Sequence, residues 1–439
     1  MPRSPSRLSR EALAWAFYDW ANSAFVLSVL TVFFGGFFAS YWYLDDGGRG
    51  AFFWQGVAVT AAGLGVAVAA PFLGALADGG AVKKRWLGRF ALIGSVGCAG
   101  LALVPAGMWP LALALRTVAA LGFFGSLIFY DALLTDVSRA GNRHLVSALG
   151  FSLGYLGSVL LLLAQFVLFN QPELLGFSSP VPIVKGVFLS VALWWFLFSL
   201  PLLFWVEERS PLPSPSERAR RGPRSILGEL RANFRELRRH RAASLFLLAY
   251  FCYIDGVNTF VQMVSAFAAE VGIGQGTLIL AIILVQVVGV PCALLFGWLG
   301  QRISPRRLIL FAVTVYLGVS LYAWRFSGEP VEIFGWAVNE LFVLGFLIGL
   351  VQGGLQALSR SYFANLIPDE RAAAFFGFYN ILGKGGAIVG PLLMGTVGHL
   401  AGDPRWGALG VALLFAAGIA LLLRVPAEPR KAPLAGEAP

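Results

Sequence analysis

The chain reads as an all-α membrane protein, twelve transmembrane helices in two pseudo-symmetric six-helix bundles with both termini on the cytoplasmic side. Three observations predict this. Composition is the first: 58% of the 439 residues are hydrophobic and 13% are charged, whereas a soluble domain carries about 25% charged residues. The second is the recurrence of apolar runs of about 20 residues, the length that crosses a hydrocarbon core of roughly 30 Å as a helix. The third is an internal repeat. Tyr18-Asp19-Trp20-Ala21-Asn22-Ser23-Ala24-Phe25 lies in the first run, and Tyr253-Ile254-Asp255-Gly256-Val257-Asn258-Thr259-Phe260 lies 236 positions later in the seventh. In both, the Asp-x-x-Asn-[Ser/Thr] spacing puts carboxylate, amide and hydroxyl on one helix face.

In order, the runs cover 12–43, 53–76, 89–106, 110–134, 147–169, 185–205, 243–269, 277–299, 308–325, 335–358, 374–398 and 406–424. The first is too long, and too polar within, for a cleaved leader, so it is expected to stay as span one. With the N-terminus inside, the inner segments hold 27 Lys and Arg and the outer ones four, Arg49, Lys185, Arg325 and Arg405. Basic residues near span ends stay on the cytoplasmic side, so the bias predicts N-in and C-in topology and accounts for the net charge of +10. No nucleic-acid partner is needed to explain that charge; the bilayer is the partner, and a monomer is expected.

The halves are read as 1–206 and 242–426, joined by a cytoplasmic linker, 207–241, and followed by a tail, 427–439. Within the linker, Ile226, Leu227, Leu230, Phe234 and Leu237 share a helical face among arginines, a pattern for a helix on the inner leaflet or for a solvated linker helix. Two further echoes support a duplication. Gly74-Ala75-Leu76-Ala77-Asp78 with Lys83-Lys84-Arg85 follows span two, and Gly297-Trp298-Leu299-Gly300-Gln301-Arg302 follows span eight. Gly150-Phe151 with Gly154 in span five matches Gly377-Phe378 with Gly383 in span eleven.

Metal and disulfide chemistry are not expected. Cys98, Cys252 and Cys292 are odd in number, fall in separate spans and lack ligand spacing. His144, His240 and His399 are read as loop residues, which leaves no histidine proton relay. No cofactor motif occurs: Lys384 beside Gly383, Gly385 and Gly386 lacks the spacing of a phosphate loop.

An ionisable group inside a span is a functional candidate by default, because bilayer burial costs several kcal/mol without a partner or water. Asp19, Asp255, Arg116 and Lys384 are therefore candidates for substrate binding or coupling. At 1.5 Å per residue, Asp255 and Lys384 lie roughly 18 Å from the inner ends of their spans, and Asp19 roughly 10 Å. The amides and hydroxyls Asn22, Ser23, Asn258, Thr259, Gln352, Gln356 and Asn380 join them, as does Asp131 in span four. Structural roles stay open beside the functional ones: Asp19 and Asp255 as fixed partners of Arg116 or Lys384, the amides and hydroxyls as interhelical glue, and Asp78 as a loop cap.

These residues carry a resemblance. Twelve spans with Gly-x-Leu-Ala-Asp and following basic residues after span two resemble the major facilitator superfamily. Within it, residues 18–25, Phe129-Tyr130-Asp131-Ala132-Leu133-Leu134, Gly154-Tyr155-Leu156-Gly157, Gln352-Gly353-Gly354-Leu355-Gln356-Ala357-Leu358-Ser359-Arg360-Ser361 and Phe375-Phe376-Gly377-Phe378-Tyr379-Asn380 resemble the branch of vacuolar amino-acid effluxers and their bacterial relatives. In this chain Asp131 stands where those relatives usually carry Asn, and Gln301 replaces the acid of the second-half loop.

The resemblance implies alternating access around a midplane site lined by spans one, four, seven and ten, with Asp78, Lys83, Lys84, Arg85 and Arg302 as the gating loop. The function implied is secondary transport of a small polar solute, an amino acid or similar metabolite, in a bacterial cytoplasmic membrane, with proton coupling through Asp255 open. A non-transporting receptor and a polytopic membrane enzyme are the alternatives.

Overall fold

The computed structural model describes residues 9–44, 82–209, 237–270, 273–327, 329–333, 335–369, 372–384, 389–403 and 405–426, together with isolated positions between 54 and 73 and Arg235. Span two, Asp78, most of the linker and the tail lie outside these residues. Helices follow one another as α1 (Arg10–Trp42), α2 (Lys83–Leu101), α3 (Trp109–Val137), α4 (Arg143–Asn170) and α5 (Val181–Trp205), then α6 (Arg241–Glu270), α7 (Gln275–Arg302) and α8 (Pro305–Trp324). A two-stranded hairpin, β1 (Pro330–Ile333) and β2 (Trp336–Asn339), precedes α9 (Glu340–Leu366), α10 (Ala372–Lys384), α11 (Val389–Ala401) and α12 (Arg405–Arg424). Among the described residues, nine helices are long and apolar enough to cross a membrane.

Local chemistry sets the helix starts. Ser9 Oγ accepts the Ala12 N–H at 3.1 Å and Asn339 Oδ1 accepts the Leu341 N–H at 2.9 Å, each satisfying a donor that the first turn leaves open. The start of α2 is capped from a distance: the Glu208 carboxylate, just beyond α5, accepts the Lys83 and Lys84 N–H groups, both at 2.9 Å. A carboxylate there is also favoured by the helix dipole.

Two sequence expectations are corrected. Span ten does not begin at 335 or end at 358. Gly335 takes a left-handed turn with φ 82°, residues 336–339 pair as a strand, and the helix runs on to Leu366. Arg360, two residues past the expected end of span ten, is thereby inside the helix, and the fold is not wholly α. Of span eleven, the described residues form α10, up to Lys384, and α11, from Val389. His144 is not a loop residue; it sits buried in the first turn of α4.

α1 packs on α4 and α5, and α2 on α3 and α5; in the second half α6 packs on α11 and α12, and α9 on α7 and α8. The two sets meet where α4 lies against α7 and α9, and α3 against α10. Glycines set the closest crossing inside the first half. A Cβ on Gly122 would stand 2.4 Å from Gly94 N and 2.7 Å from Phe90 O, so backbone meets backbone, as small residues allow between membrane helices. Gly122→Ala should lower the unfolding midpoint in detergent, at a cost of about 1–3 kcal/mol. Gly186→Ala, whose added methyl meets nothing within 4 Å, should leave that midpoint unchanged or raise it.

Candidate functional site

Arg360, two turns before the end of α9, reaches out of its own half. Its Nη1 donates to Asp19 Oδ2 at 3.3 Å and to Asp131 Oδ1 at 3.4 Å. Its Nη2 donates to the Ser147 carbonyl at 2.8 Å and to Asp19 Oδ2 at 3.4 Å, and its Nε to Ser147 Oγ at 2.9 Å. The acceptors belong to α1, α3 and α4. Tyr130 Oη donates to Asp19 Oδ2 at 2.8 Å, and Asn380 Nδ2, on α10, donates to Asp131 Oδ2 at 2.9 Å. Arg360, Asp19 and Asp131 are 2%, 6% and 3% exposed, so these charges face one another shielded from bulk solvent.

Aromatic rings close the box. The guanidinium carbon lies 4.4 Å from the Phe151 ring centre, 4.8 Å from Trp15 and 5.3 Å from Tyr130, distances at which a ring face attracts a cation. Trp15 and Tyr130 stack at 4.3 Å, and Trp15 Nε1 donates to the Tyr130 carbonyl at 2.8 Å. Gly150 lets α4 come this near: a Cβ there would stand 2.6 Å from Asp19 Oδ2 and 3.1 Å from Arg360 Nη2.

The seam continues along α4. Arg143 donates to the Ala364 carbonyl at 3.0 Å, to Asn365 Oδ1 at 3.1 Å and to both oxygens of Asp369 at 3.2 and 3.3 Å. His144 Nδ1 and Ser361 Oγ are 2.8 Å apart, and Ser147 Oγ donates to the Ala357 carbonyl at 2.8 Å. Where Gly297 meets Ala148, a Cβ on the glycine would lie 2.3 Å from the alanine Cβ.

A second polar group forms around α6. Asp255 is fully buried; its Oδ2 accepts the Gly390 N–H of α11 at 2.7 Å, while Oδ1 has no hydrogen-bond partner. Asn258 Nδ2 donates to the Gly383 carbonyl of α10 at 2.7 Å, and Thr259 Oγ1 to the Asp255 carbonyl at 2.7 Å.

The remaining candidates scatter. Arg116 is buried near the other end of α3, its guanidinium 5.0 Å from the Phe34 ring, and its Nε has no hydrogen-bond partner. It partners neither Asp19 nor Asp255. Asn22 is buried with Nδ2 unbonded, Ser23 lies against Gly154, Tyr316 Oη donates to Gln352 Oε1 at 3.5 Å, and Gln356 is half-buried. Lys384 is the last described residue of α10, and its side chain lies outside the described residues. Of the gating-loop set, Lys83 Nζ pairs with Asp136 at 2.9 Å inside the first half and Lys84 Nζ donates to the Leu203 carbonyl at 3.3 Å. Arg85 and Arg302 are exposed, Arg302 over the Trp298 ring at 4.0 Å.

Asp19, Asp131 and Asn380 thus come together around a residue absent from the expected site, while Asp255, Asn258 and Thr259 form a separate group. The signal for Arg360 is the apolar run Tyr362-Phe363-Ala364, which carries the helix past it. Removing one member of a buried, paired set leaves an uncompensated charge, a loss of about 3–5 kcal/mol. Arg360→Gln should lower stability on that scale, and Asp19→Asn added to it should recover part of the loss. A double-mutant cycle by thermal unfolding checks this: additive effects would show that the two do not interact.

Comparison with known proteins places this geometry. The family model described as vacuole effluxer Atg22-like matches residues 55–433. An uncharacterized MFS-type transporter of Bacillus subtilis, YxiO, is 34% identical over 430 residues, covering 96% of each chain. Autophagy-related protein 22-1 of Neosartorya fischeri is 27% identical over 297 residues; the match covers 64% of this chain and 48% of that protein, about half its length. Among solved structures, the fold is similar to FucP, a major facilitator transporter in the outward conformation (TM-score 0.66, 16% identity, 94% of this chain and 97% of that one). It is also similar to the proton:xylose symporter XylE (TM-score 0.67, 14% identity, 95% and 94%). The chain is an integral membrane protein of the major facilitator superfamily and belongs to its Atg22-like family.

Proposed function

We propose that the protein is a secondary active transporter that carries a small polar solute, an amino acid or similar metabolite, across a bacterial cytoplasmic membrane by alternating access. The membership of the Atg22-like family and the Bacillus relative support transport over the alternatives of a receptor or a membrane enzyme. One observation carries the mechanism: Arg360 of the second half is held by carboxylates and a carbonyl of the first. With the N-terminus inside, the face sealed by Arg360 and Arg143 is the cytoplasmic one.

To open that face, α9 and α10 must leave α1, α3 and α4. The Arg360 contacts with Asp19 and Asp131 then break together with those from Arg143 to Asp369. A guanidinium presents its donors as a planar fork that suits a carboxylate, so a solute carboxylate can take the place that Asp19 or Asp131 vacates. The solute would then offset the cost of separating the buried charges. Gln352, Gln356 and Asn380, on the same two helices as Arg360 or its neighbour, supply further amide groups for a polar solute.

A cysteine pair at Ala148 and Gly297, in a chain whose own three cysteines are replaced by serine, tests the motion: a Cβ on Gly297 lies 2.3 Å from that of Ala148, closer than the roughly 3.5–4.5 Å of a disulfide, so a seam widened by an ångström or two brings the pair into bonding range. Counterflow of a panel of labelled amino acids and small carboxylic acids in proteoliposomes should stop on oxidation and return on reduction. Equal counterflow by the oxidised, cross-linked protein and the reduced one would rule out opening at this seam. In the same assay, Arg360→Lys should weaken transport at least tenfold, because a point charge replaces the fork.

A further inference from the structure

We propose that His144 is a proton-binding site built into the seam between the halves, and that protonating it opens the cytoplasmic face. His144 is 5% exposed in the first turn of α4, and α9 meets both of its ring nitrogens. Nδ1 lies 2.8 Å from Ser361 Oγ, and Nε2 lies 3.4 Å from Asn365 Nδ2. The tautomer follows from the surrounding network. Ser361 Oγ stands 2.8 Å from the Ala357 carbonyl and 3.2 Å from that of Leu358, so its single proton goes there and the oxygen accepts from Nδ1–H. Asn365 Oδ1 accepts from Arg143 Nη1 at 3.1 Å, which turns the amide nitrogen toward Nε2. The Nε2 lone pair is then the acceptor. The sealed seam therefore holds His144 as a neutral imidazole protonated on Nδ1.

A second ring proton finds no acceptor in this arrangement. On Nε2 it would point at the Asn365 NH2 group, donor against donor. Flipping that amide would offer its oxygen to His144, but it would turn NH2 toward Arg143 and break the bond between Arg143 and Asn365. The new charge would also be buried beside the Arg143 guanidinium, and a buried charge is costly unless it is paired. The carboxylates of the seam are already engaged: Asp369 with Arg143, and Asp19 and Asp131 with Arg360. At the end of α3, Asp136 pairs with Lys83. From α7, glycines face the residue: a Cβ on Gly300 would stand 3.4 Å from His144 Cβ, and one on Gly297 would stand 3.1 Å from its carbonyl oxygen. Arg302, in the last turn of α7, is exposed over Trp298.

When α9 leaves α4, the ring loses Ser361 and Asn365 and gains water, which accepts from either nitrogen. The open face thus takes the proton that the sealed face excludes, and a ligand shifts an equilibrium by its differential affinity for the two states. The sign follows. Neutral His144 fits the sealed seam, so sealing is favoured above the ordinary range of a histidine, about 6.5, and loses ground as the pH falls through it. The inference rests on reading this seam as the cytoplasmic gate and adds its regulation: an acidic cytoplasm biases the protein toward the open face, whatever the solute.

Spin labels at Ala140, between α3 and α4, and Ser304, between α7 and α8, read the seam from exposed positions in either half. The labels are placed in the full-length chain with its three cysteines replaced by serine, and the distance between them is measured by pulsed electron resonance in detergent without solute. A longer distance should be at least threefold more populated at pH 5 than at pH 8. His144→Gln should keep the short distance at both. Asn365→Asp offers a carboxylate that accepts from a protonated Nε2 without a flip, so it should move the response at least one pH unit lower. Equal distances at pH 5 and pH 8 in the otherwise unaltered chain would overturn the inference. So would the same response in His144→Gln, which would assign the titration to another group such as Asp369. If His144→Gln does not fold, Asn365→Asp decides: an unmoved response overturns the inference. Because no solute is present, opening driven by pH in a protein that carries nothing would defeat the transporter reading alone, and transport without such opening would defeat this inference alone.

Discussion

One ionic contact organises the molecule: a guanidinium from the second half, enclosed by carboxylates of the first. Desolvating Arg360 is tolerable only because its donors reach Asp19, Asp131 and Ser147 while three aromatic rings pack around its plane. Those contacts demand that α1, α3 and α4 converge within a few ångströms. Gly150 allows α4 to approach, and Gly122 holds α3 against α2 so that Asp131 arrives at the right place. The rest of the seam, from Arg143 to Ala148 on α4, is shaped by the same convergence.

The duplicated Asp-x-x-Asn cluster is put to two uses. In α1 its carboxylate meets an arginine of the opposite half, so it joins the two halves. In α6 its carboxylate and amide meet Gly390 of α11 and Gly383 of α10, both of their own half, so they hold that half together. The two clusters differ in what stands opposite the carboxylate, Gly150 of α4 and Arg360 in the first half, Gly390 of α11 in the second. The asymmetry sets an ion pair between the halves at Asp19, while Asp255 meets a backbone N–H and, among the described residues, no cationic side chain.

The membrane class and the facilitator fold were legible, because composition, span length and the internal repeat are properties of the chain alone. Asp19, Asp131 and Asn380 could be singled out for the same reason: a polar group in an apolar run is visible without coordinates. Arg360 was not, since its position depends on where span ten ends, and the aromatic residues Tyr362 and Phe363 beyond it carry the helix further than the aliphatic run suggests. Pairing was illegible as well. Arg116 and Arg360 are both arginines within reach of a span, and only tertiary contact decides that Asp19 goes to the second. His144 was misread because a polar residue beside Arg143 resembles a loop until α9 is seen to supply Ser361.

The first helix carries a feature whose consequence is mechanical. Phe25–Phe33 and Phe38–Trp42 are wound as π-helix, with Thr31 Oγ1 donating to the Val26 carbonyl five residues back at 2.9 Å. Each widened turn stores one residue more than an α turn while keeping its backbone bonds. Taking up that residue turns everything beyond it by about 100°. The N-terminal part of the helix is pinned at Asp19, and its other end is held where Trp42 Nε1 donates to the Val104 carbonyl at 3.3 Å. α1 thus holds its spare residues between two fixed points, so a change of winding would be taken up by the turns between them and not by either end.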